Sequence, residues 1–143
     1  MRYVLVSACL MGVNCKYSAG NNACRACLDL LSRNDLCLIP ICPEQLGGLQ
    51  TPRACAERAG NTVINKNGED VTPQFHRGAE EALRIAKQWH CQEAILKERS
   101  PSCGSSVIYD GTFSGTVIPG KGLTAELLEE NGIKIMNEFC IEL

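Results

Sequence analysis

Val4-Leu5-Val6-Ser7-Ala8-Cys9-Leu10-Met11-Gly12 sets both the fold and the chemistry of this chain. Val4 to Ala8 is a short apolar, β-rich run, the mark of a buried strand. A cysteine and then a glycine follow. The same order returns twice. Leu36 to Ile41 predicts a second buried strand, ended by Cys42-Pro43-Glu44. Ala94 to Lys97 predicts a third, followed by Ser100-Pro101-Ser102-Cys103-Gly104.

Helical signals fall between the strands. Asn21 or Asn22 can cap a helix to about Arg33, with Ala23, Cys27, Leu30 and Leu31 on one face. Thr72-Pro73 predicts a helix to about His90, with Phe75, Ala79, Ala82, Leu83, Ala86 and Trp89 on its apolar face. Thr124 is read as the cap of a last helix through Asn131, stopped by Gly132. Ile133 to Met136 then gives a fourth strand. Two hairpins are expected. One pairs Thr62–Asn65 with Asp70-Val71 across Asn67-Gly68; the other pairs Val107–Tyr109 with Gly115–Ile118 around Asp110-Gly111. Strands alternating with helices predict one α/β domain over residues 1–143. It is a Rossmann-like sheet, mostly parallel, with helices on both faces and small β-hairpin insertions. Ligands of such sheets bind beyond the carboxyl ends of the strands. If the three cysteine-tailed strands are neighbours, Cys9, Cys42 and Cys103 converge on one edge.

The 143 residues carry 14 basic and 16 acidic side chains, a formal net charge of −2. No dense Lys/Arg cluster offers a footprint for duplex nucleic acid, although a local basic pocket could hold one nucleotide or phosphate. Met1 to Val6 enters a strand with no signal-peptide pattern, and no apolar run approaches the ~20 residues of a membrane helix. The expectation is a cytoplasmic protein without a membrane partner, in which thiols stay reduced. Its ten cysteines are then small buried hydrophobes or metal ligands.

They divide by neighbourhood. Cys24-Arg25-Ala26-Cys27 has the spacing of a redox or metal pair, but it lacks a second such pair, and His76 and His90 are too far apart to share a metal. Packing is the expected role. Cys37, Cys91 and Cys140 are also read as structural, and Cys55 has no assigned role. Cys15 shares a loop with Cys9 and is a candidate ligand or active-site thiol. The three strand-end cysteines stand beside Gly12, Gly47-Gly48 and Gly104, whose amides are expected to face sulfur. Ser100, Ser102 and Ser105 add hydroxyl donors, and Glu44 keeps a carboxyl near Cys42. Three thiolates without histidine suit a [4Fe–4S] cluster with one open iron better than zinc. The same residues also suit a reactive-thiol site, so both readings stay open.

Taken in order, several segments resemble a known family. They are Val6 to Gly12 with Cys15-Lys16-Tyr17, Cys42-Pro43-Glu44 through Leu49, Thr51-Pro52-Arg53, Gly68 to Thr72, Ile95 to Gly104, and Ile108 to Gly115. The chain resembles the 2-thiouracil desulfidase (thiouracil desulfurase) family, long catalogued as a domain of unknown function. The resemblance implies a [4Fe–4S] cluster held by Cys9, Cys42 and Cys103, with one iron not ligated by protein and free to take the substrate's sulfur. It implies a catalytic acid at Glu44 and a catalytic serine at Ser100, with Ser102 as second choice. Cys15 matches a family cysteine outside the ligand trio. The implied reaction is hydrolytic removal of sulfur from a thiolated pyrimidine such as 2-thiouracil, turning C=S into C=O with release of sulfide. Two departures bear on the pocket: Pro52-Arg53 continues as Ala54-Cys55-Ala56-Glu57 where the family usually has more prolines, and the Cys24/Cys27 pair is extra. Alternatives from other classes are a thiouridine desulfidase acting on tRNA or nucleosides, a non-catalytic cysteine-based metal or redox sensing module using Cys9, Cys15 and Cys103, and an electron-transfer protein with Cys15 as a fourth ligand. Some relatives carry a further C-terminal domain and act on thiolated tRNA; this chain stops after its fourth predicted strand, which weakens the tRNA reading.

Overall fold

The computed structural model describes residues 1–143. Its elements, in chain order, are β1 (Arg2–Ser7), α1 (Arg25–Asp29), β2 (Leu36–Ile41), α2 (Pro43–Leu46), β3 (Ala56–Ala59), β4 (Thr62–Asn65), α3 (Thr72–Gln88), β5 (Glu93–Leu96), β6 (Val107–Tyr109), β7 (Val117–Pro119), α4 (Leu123–Glu130) and β8 (Lys134–Asn137). β1, β2, β5 and β8 form one sheet in the order β2-β1-β5-β8. All of its pairings are parallel: Arg2 to Ser7 run beside Leu36 to Ile41, Val4 to Val6 beside Glu93 to Ile95, and Glu93 to Leu96 beside Lys134 to Asn137. The expected α/β sheet is therefore present. The strands that precede Cys9, Cys42 and Cys103 are adjacent. Pro40 falls in β2, which lies at the sheet's edge, where a missing backbone donor is tolerated.

Alternation along the strands divides the core between the two faces. Leu5, Ala94 and Leu96 pack with Ala82 and Ala86 of α3 and Ala125 and Leu128 of α4. Val4, Val6, Ile95 and Met136 pack on the other face with Cys27 and Leu30 of the α1 region. Helices thus cover both faces, as expected. Phe75, Ala79, Ala82 and Ala86 are buried on α3, whereas Trp89 is half exposed just beyond its end. No helix is long and apolar enough to cross a membrane.

Several local expectations are corrected. The helix expected from Asn21 or Asn22 to Arg33 shrinks to the short α1, with Cys24 at its N-cap and a 3-10 turn over Leu30–Ser32. Asn21 still accepts a local bond from the Ala23 amide at 2.9 Å. The first hairpin pairs β4 with β3 rather than chiefly with Asp70-Val71. Asn67-Gly68 turns only into a single bridge between Ile64 and Asp70. Ala-Glu-Arg-Ala carries two charges and no β-branched residue, which hides β3 from a pattern reading. Thr124 does not cap α4. Gly122 takes that place, and the amides of Leu123 and Thr124 donate to the carbonyls of Pro101 and Ser102 at 2.9 Å. The loop bearing Cys103 therefore caps α4. The second hairpin forms as β6 with β7.

The short α2, which follows Cys42, is seated by two glycines. A β-carbon on Gly47 would stand 1.9 Å from the Gln74 carbonyl oxygen of α3, and one on Gly78 would stand 1.9 Å from the Pro43 carbonyl oxygen. Backbone rests on backbone, so neither neighbour can rotate away. Alanine normally stabilises a helix interior by ~1 kcal/mol over glycine. At Gly78 overpacking, typically ~1–3 kcal/mol, should reverse that sign. Thermal unfolding of Gly78→Ala should give a lower Tm than the parent, and an unchanged or higher Tm would refute the contact.

Candidate active site: a thiol cavity at the carboxyl edge of the sheet

A cavity of about 710 Å³ opens beyond the carboxyl ends of β1, β2 and β5. Cys9, Cys42 and Cys103 line it, as do Glu44, Ser100 and Ser102. The structure brings these six residues to one cavity, but not Ser105. Cys15 and Cys55 line the same cavity. Cys27 is fully buried in the core, Cys91 is buried, and Cys140, expected to be structural, is exposed.

Each thiol is placed by the turn that ends its strand. Cys9 sits in a 3-10 turn (Ala8–Met11) closed by Gly12 at φ +87°. Cys42 is the N-cap residue of α2, and its thiol donates to the Cys15 carbonyl at 3.6 Å. Cys103 follows β5 in a tight loop: a β-carbon on Gly104 would meet Ile108, Ser100 and Val107 at 2.8–2.9 Å. Glycine amides do not face sulfur, contrary to expectation. The Gly12, Gly47, Gly48 and Gly104 amides donate to the carbonyls of Cys9, Pro43, Gln45 and Ser100. Burial raises the Cys9 thiol above its ordinary value, against a hydrogen bond from Asn22. Burial pushes Cys103 up to about 12, against hydrogen bonds involving Ser7 and Ser102. Burial and then the neighbouring Cys42 and Cys9 push Cys15 up to about 12.

Beside the thiols runs a chain of polar contacts. Arg53, nearly buried, donates from Nε to Glu44 Oε1 at 3.0 Å and from Nη2 to the Cys15 carbonyl at 2.9 Å. The other Glu44 oxygen accepts from Ser102 Oγ at 3.0 Å. Ser102 has one hydroxyl proton, and Glu44 receives it. The 2.8 Å contact between the two serine hydroxyls is therefore donated by Ser100. Ser100 Oγ in turn accepts the amides of Ser102 and Cys103 at 3.1 and 3.0 Å. Its hydroxyl both shapes the cysteine loop and ends the relay Ser100–Ser102–Glu44.

The loop itself hangs on Glu98. This side chain is buried, and Oε1 accepts amides of Ser105, Ser106 and Val107 at 2.9–3.1 Å. Oε2 accepts the Ser105 and Ser106 hydroxyls and the Asn137 amide at 2.7–2.9 Å. Ser105, expected to serve sulfur, serves this carboxylate instead. Lys97, also in the cavity wall, pairs with Glu138 at 2.9 Å. Arg53, Glu98 and Lys97 were not read from the sequence as site residues. The Pro-Arg and Lys-Glu-Arg segments around them were the only signals.

No three His, Cys, Asp or Glu side chains are placed to hold a single metal ion. A polynuclear cluster makes a different demand, because each thiolate binds a separate iron. Thiols from three strand ends around one cavity, those of Cys9 and Cys103 buried and that of Cys42 partly exposed, with no histidine in its lining, fit soft iron–sulfur chemistry.

Fold and site together define a parallel α/β protein with a multi-thiol cavity at its sheet edge. The model of the 2-thiouracil desulfurase family matches residues 4–139. The chain is 41% identical over 145 residues to the uncharacterized protein YbbK of Bacillus subtilis (strain 168), spanning 94% of this chain and 95% of that one. A solved [4Fe-4S]-dependent thiouracil desulfidase, TudS, matches with a TM-score of 0.91 at 40% identity, over 97% of this chain and 92% of that one. The chain belongs to the 2-thiouracil desulfurase family.

Burial opposes the charge on Glu98, but the donors from Ser106, Val107 and Ser105 outweigh it and lower its pKa from 4.5 to about 2. A depressed carboxyl stabilises the fold above its unfolded value, and the gain is lost as pH falls through the folded value. Glu98→Gln should lower Tm at neutral pH. It should also flatten the parent's loss of Tm between about pH 4.5 and 2. Parallel Tm–pH curves for the two proteins would contradict this account.

Proposed function

We infer that this protein is a desulfidase that converts the C=S of a thiolated pyrimidine such as 2-thiouracil to C=O. One water is consumed and one sulfide released. The observation that carries the reading is the meeting of three strand-end thiols with the Glu44–Ser102–Ser100 relay in a single cavity. Cys9, Cys42 and Cys103 would hold a [4Fe–4S] cluster, three protein ligands leaving one iron without a protein ligand. When bound, that group supplies a sulfur-affine Lewis acid.

The side chains supply the rest. Glu44 is the one carboxylate of the relay and the group that can store a proton between water entry and sulfide departure. Arg53 fixes Oε1, which leaves Oε2 to exchange protons through Ser102 Oγ. Ser102 and Ser100 can each give one proton as they take another, so the relay ends at Ser100 Oγ in the cavity wall. Ser100 also orients whatever hydroxylic group lies beside it. Positioned acid–base groups contribute ~10²–10⁴-fold in rate.

Glu44→Gln should therefore lower kcat for sulfide release from 2-thiouracil by roughly 10²–10⁴-fold with iron content unchanged. An undiminished kcat would remove Glu44 from the reaction. Ser102→Ala should lower kcat while KM stays near the parent value.

Cys15 lines the same cavity and gives the electron-transfer reading its one specific support. Cys15→Ala, reconstituted without oxygen, should retain four irons and desulfidase turnover. Loss of the cluster in that variant would favour four-cysteine ligation and an electron-transfer role.

A further inference from the structure

The chain contains three Phe, three Tyr and one Trp. Four of these seven, Tyr17, Tyr109, Phe113 and Phe139, line the thiol cavity. Three of the four are substantially exposed: Tyr17 by 49%, Phe113 by 37% and Phe139 by 78%. Single exposed aromatics are ordinary, but a group of them around one cavity offers flat apolar faces to a planar ring.

Phe113 stands apart within that group. It lies between β6 and β7, with φ +56°, a left-handed conformation that non-glycine residues rarely adopt. The strain is held by a latch. Glu57 of β3 accepts the Gly111 and Phe113 amides on one oxygen, Oε1, at 3.0 and 3.1 Å. The loop also lies directly on β3, since a β-carbon on Gly111 would approach Ala59 Cβ to 2.9 Å. Its neck is closed by the Asp110 amide donating to the Thr116 carbonyl at 3.0 Å. A bulky ring is thus kept at the wall of the reactive cavity in a backbone geometry that glycine would adopt more readily. Strain of this kind persists where surrounding structure enforces it, and it concentrates at ligand clamps.

We propose that the loop of residues 110–116 is an aryl-binding lid of the thiol cavity, in which Phe113 stacks on the substrate's pyrimidine ring and Glu57 positions it. The proposal deepens the desulfidase reading and rests on it for the identity of the ring. Stacking requires only a π-face, so the oxygen analogue uracil is bound by the same contact.

Calorimetric titration of the cluster-loaded protein with unreactive uracil, together with the KM for sulfide release from 2-thiouracil, tests this directly. Phe113→Gly should weaken both ligands roughly tenfold or more, the usual effect of losing one base–aromatic stack. Its Tm should equal or exceed the parent's, because glycine relieves the left-handed backbone. Phe113→Tyr should bind as the parent does, and Glu57→Ala should reproduce the affinity loss. Unchanged affinity in Phe113→Gly overturns the lid, as does a Phe113→Tyr variant that binds as weakly as Phe113→Gly. A parent that binds uracil but releases no sulfide from 2-thiouracil refutes the desulfidase reading and leaves the lid standing. A parent that binds neither pyrimidine overturns both.

Discussion

The buried Glu98 carboxylate is the contact on which the site's geometry depends. It closes the connection from β5 to β6 on itself by gathering the amides and hydroxyls of Ser105 and Ser106 and the amide of Val107. It also reaches across to Asn137 at the end of β8. Ser100, Ser102 and Cys103 lie inside the closed segment. Their mutual distances are therefore set by an anion that itself has no free lone pair to offer chemistry. Elsewhere in the lining Arg53 does the complementary work, a nearly buried cation tying Glu44 to the loop of Cys15. One fixed charge of each sign frames the cavity, and each is satisfied by several hydrogen bonds, the condition under which buried charge is tolerable.

The two frames meet through the serine relay. Direction in that relay follows from proton counting alone: Ser102 can donate only once, to Glu44, so Ser100 must donate to Ser102. This separates two hydroxyls that look interchangeable in Ser-Pro-Ser-Cys. Ser102 is buried and touches both the carboxylate and the Cys103 thiol, the latter at 3.8 Å. Ser100 is half buried and carries two backbone amides. Removing either hydroxyl interrupts the relay, but only loss of Ser100 also unties the cysteine loop.

The parallel sheet was legible in the sequence because its strands read as plain apolar runs: Val4 to Val6 and Ala94 to Leu96, buried on both faces, and the partly exposed edge run Leu36 to Ile41. The convergence of Cys9, Cys42 and Cys103 followed once those strands were taken as neighbours. What escaped was charge placed where charge is not expected. Glu57 and Arg58 disguised β3, because the partners of both come mostly from distant parts of the chain: Glu57 holds the lid through the Gly111 and Phe113 amides, and Arg58 bonds the carbonyls of Gly60 and Lys121 at 2.7 Å. Arg53 and Glu98 have the composition of solvated loop residues and become site residues only through tertiary burial. Thr124 showed the reverse error. A residue type that usually caps helices is fully buried with its hydroxyl unpartnered, and a loop carbonyl performs the capping.

The strand order β2-β1-β5 has a consequence for how the protein matures. Cys9, Cys42 and Cys103 lie far apart along the chain and meet only after two parallel pairings that cross long stretches of sequence. Such non-local pairing is slow, because chain closure must precede the contacts that reward it. A ligand that needs all three thiols therefore has no site on the nascent or unfolded chain. It arrives late, on a sheet already built, and its binding energy then adds to the stability of that finished fold.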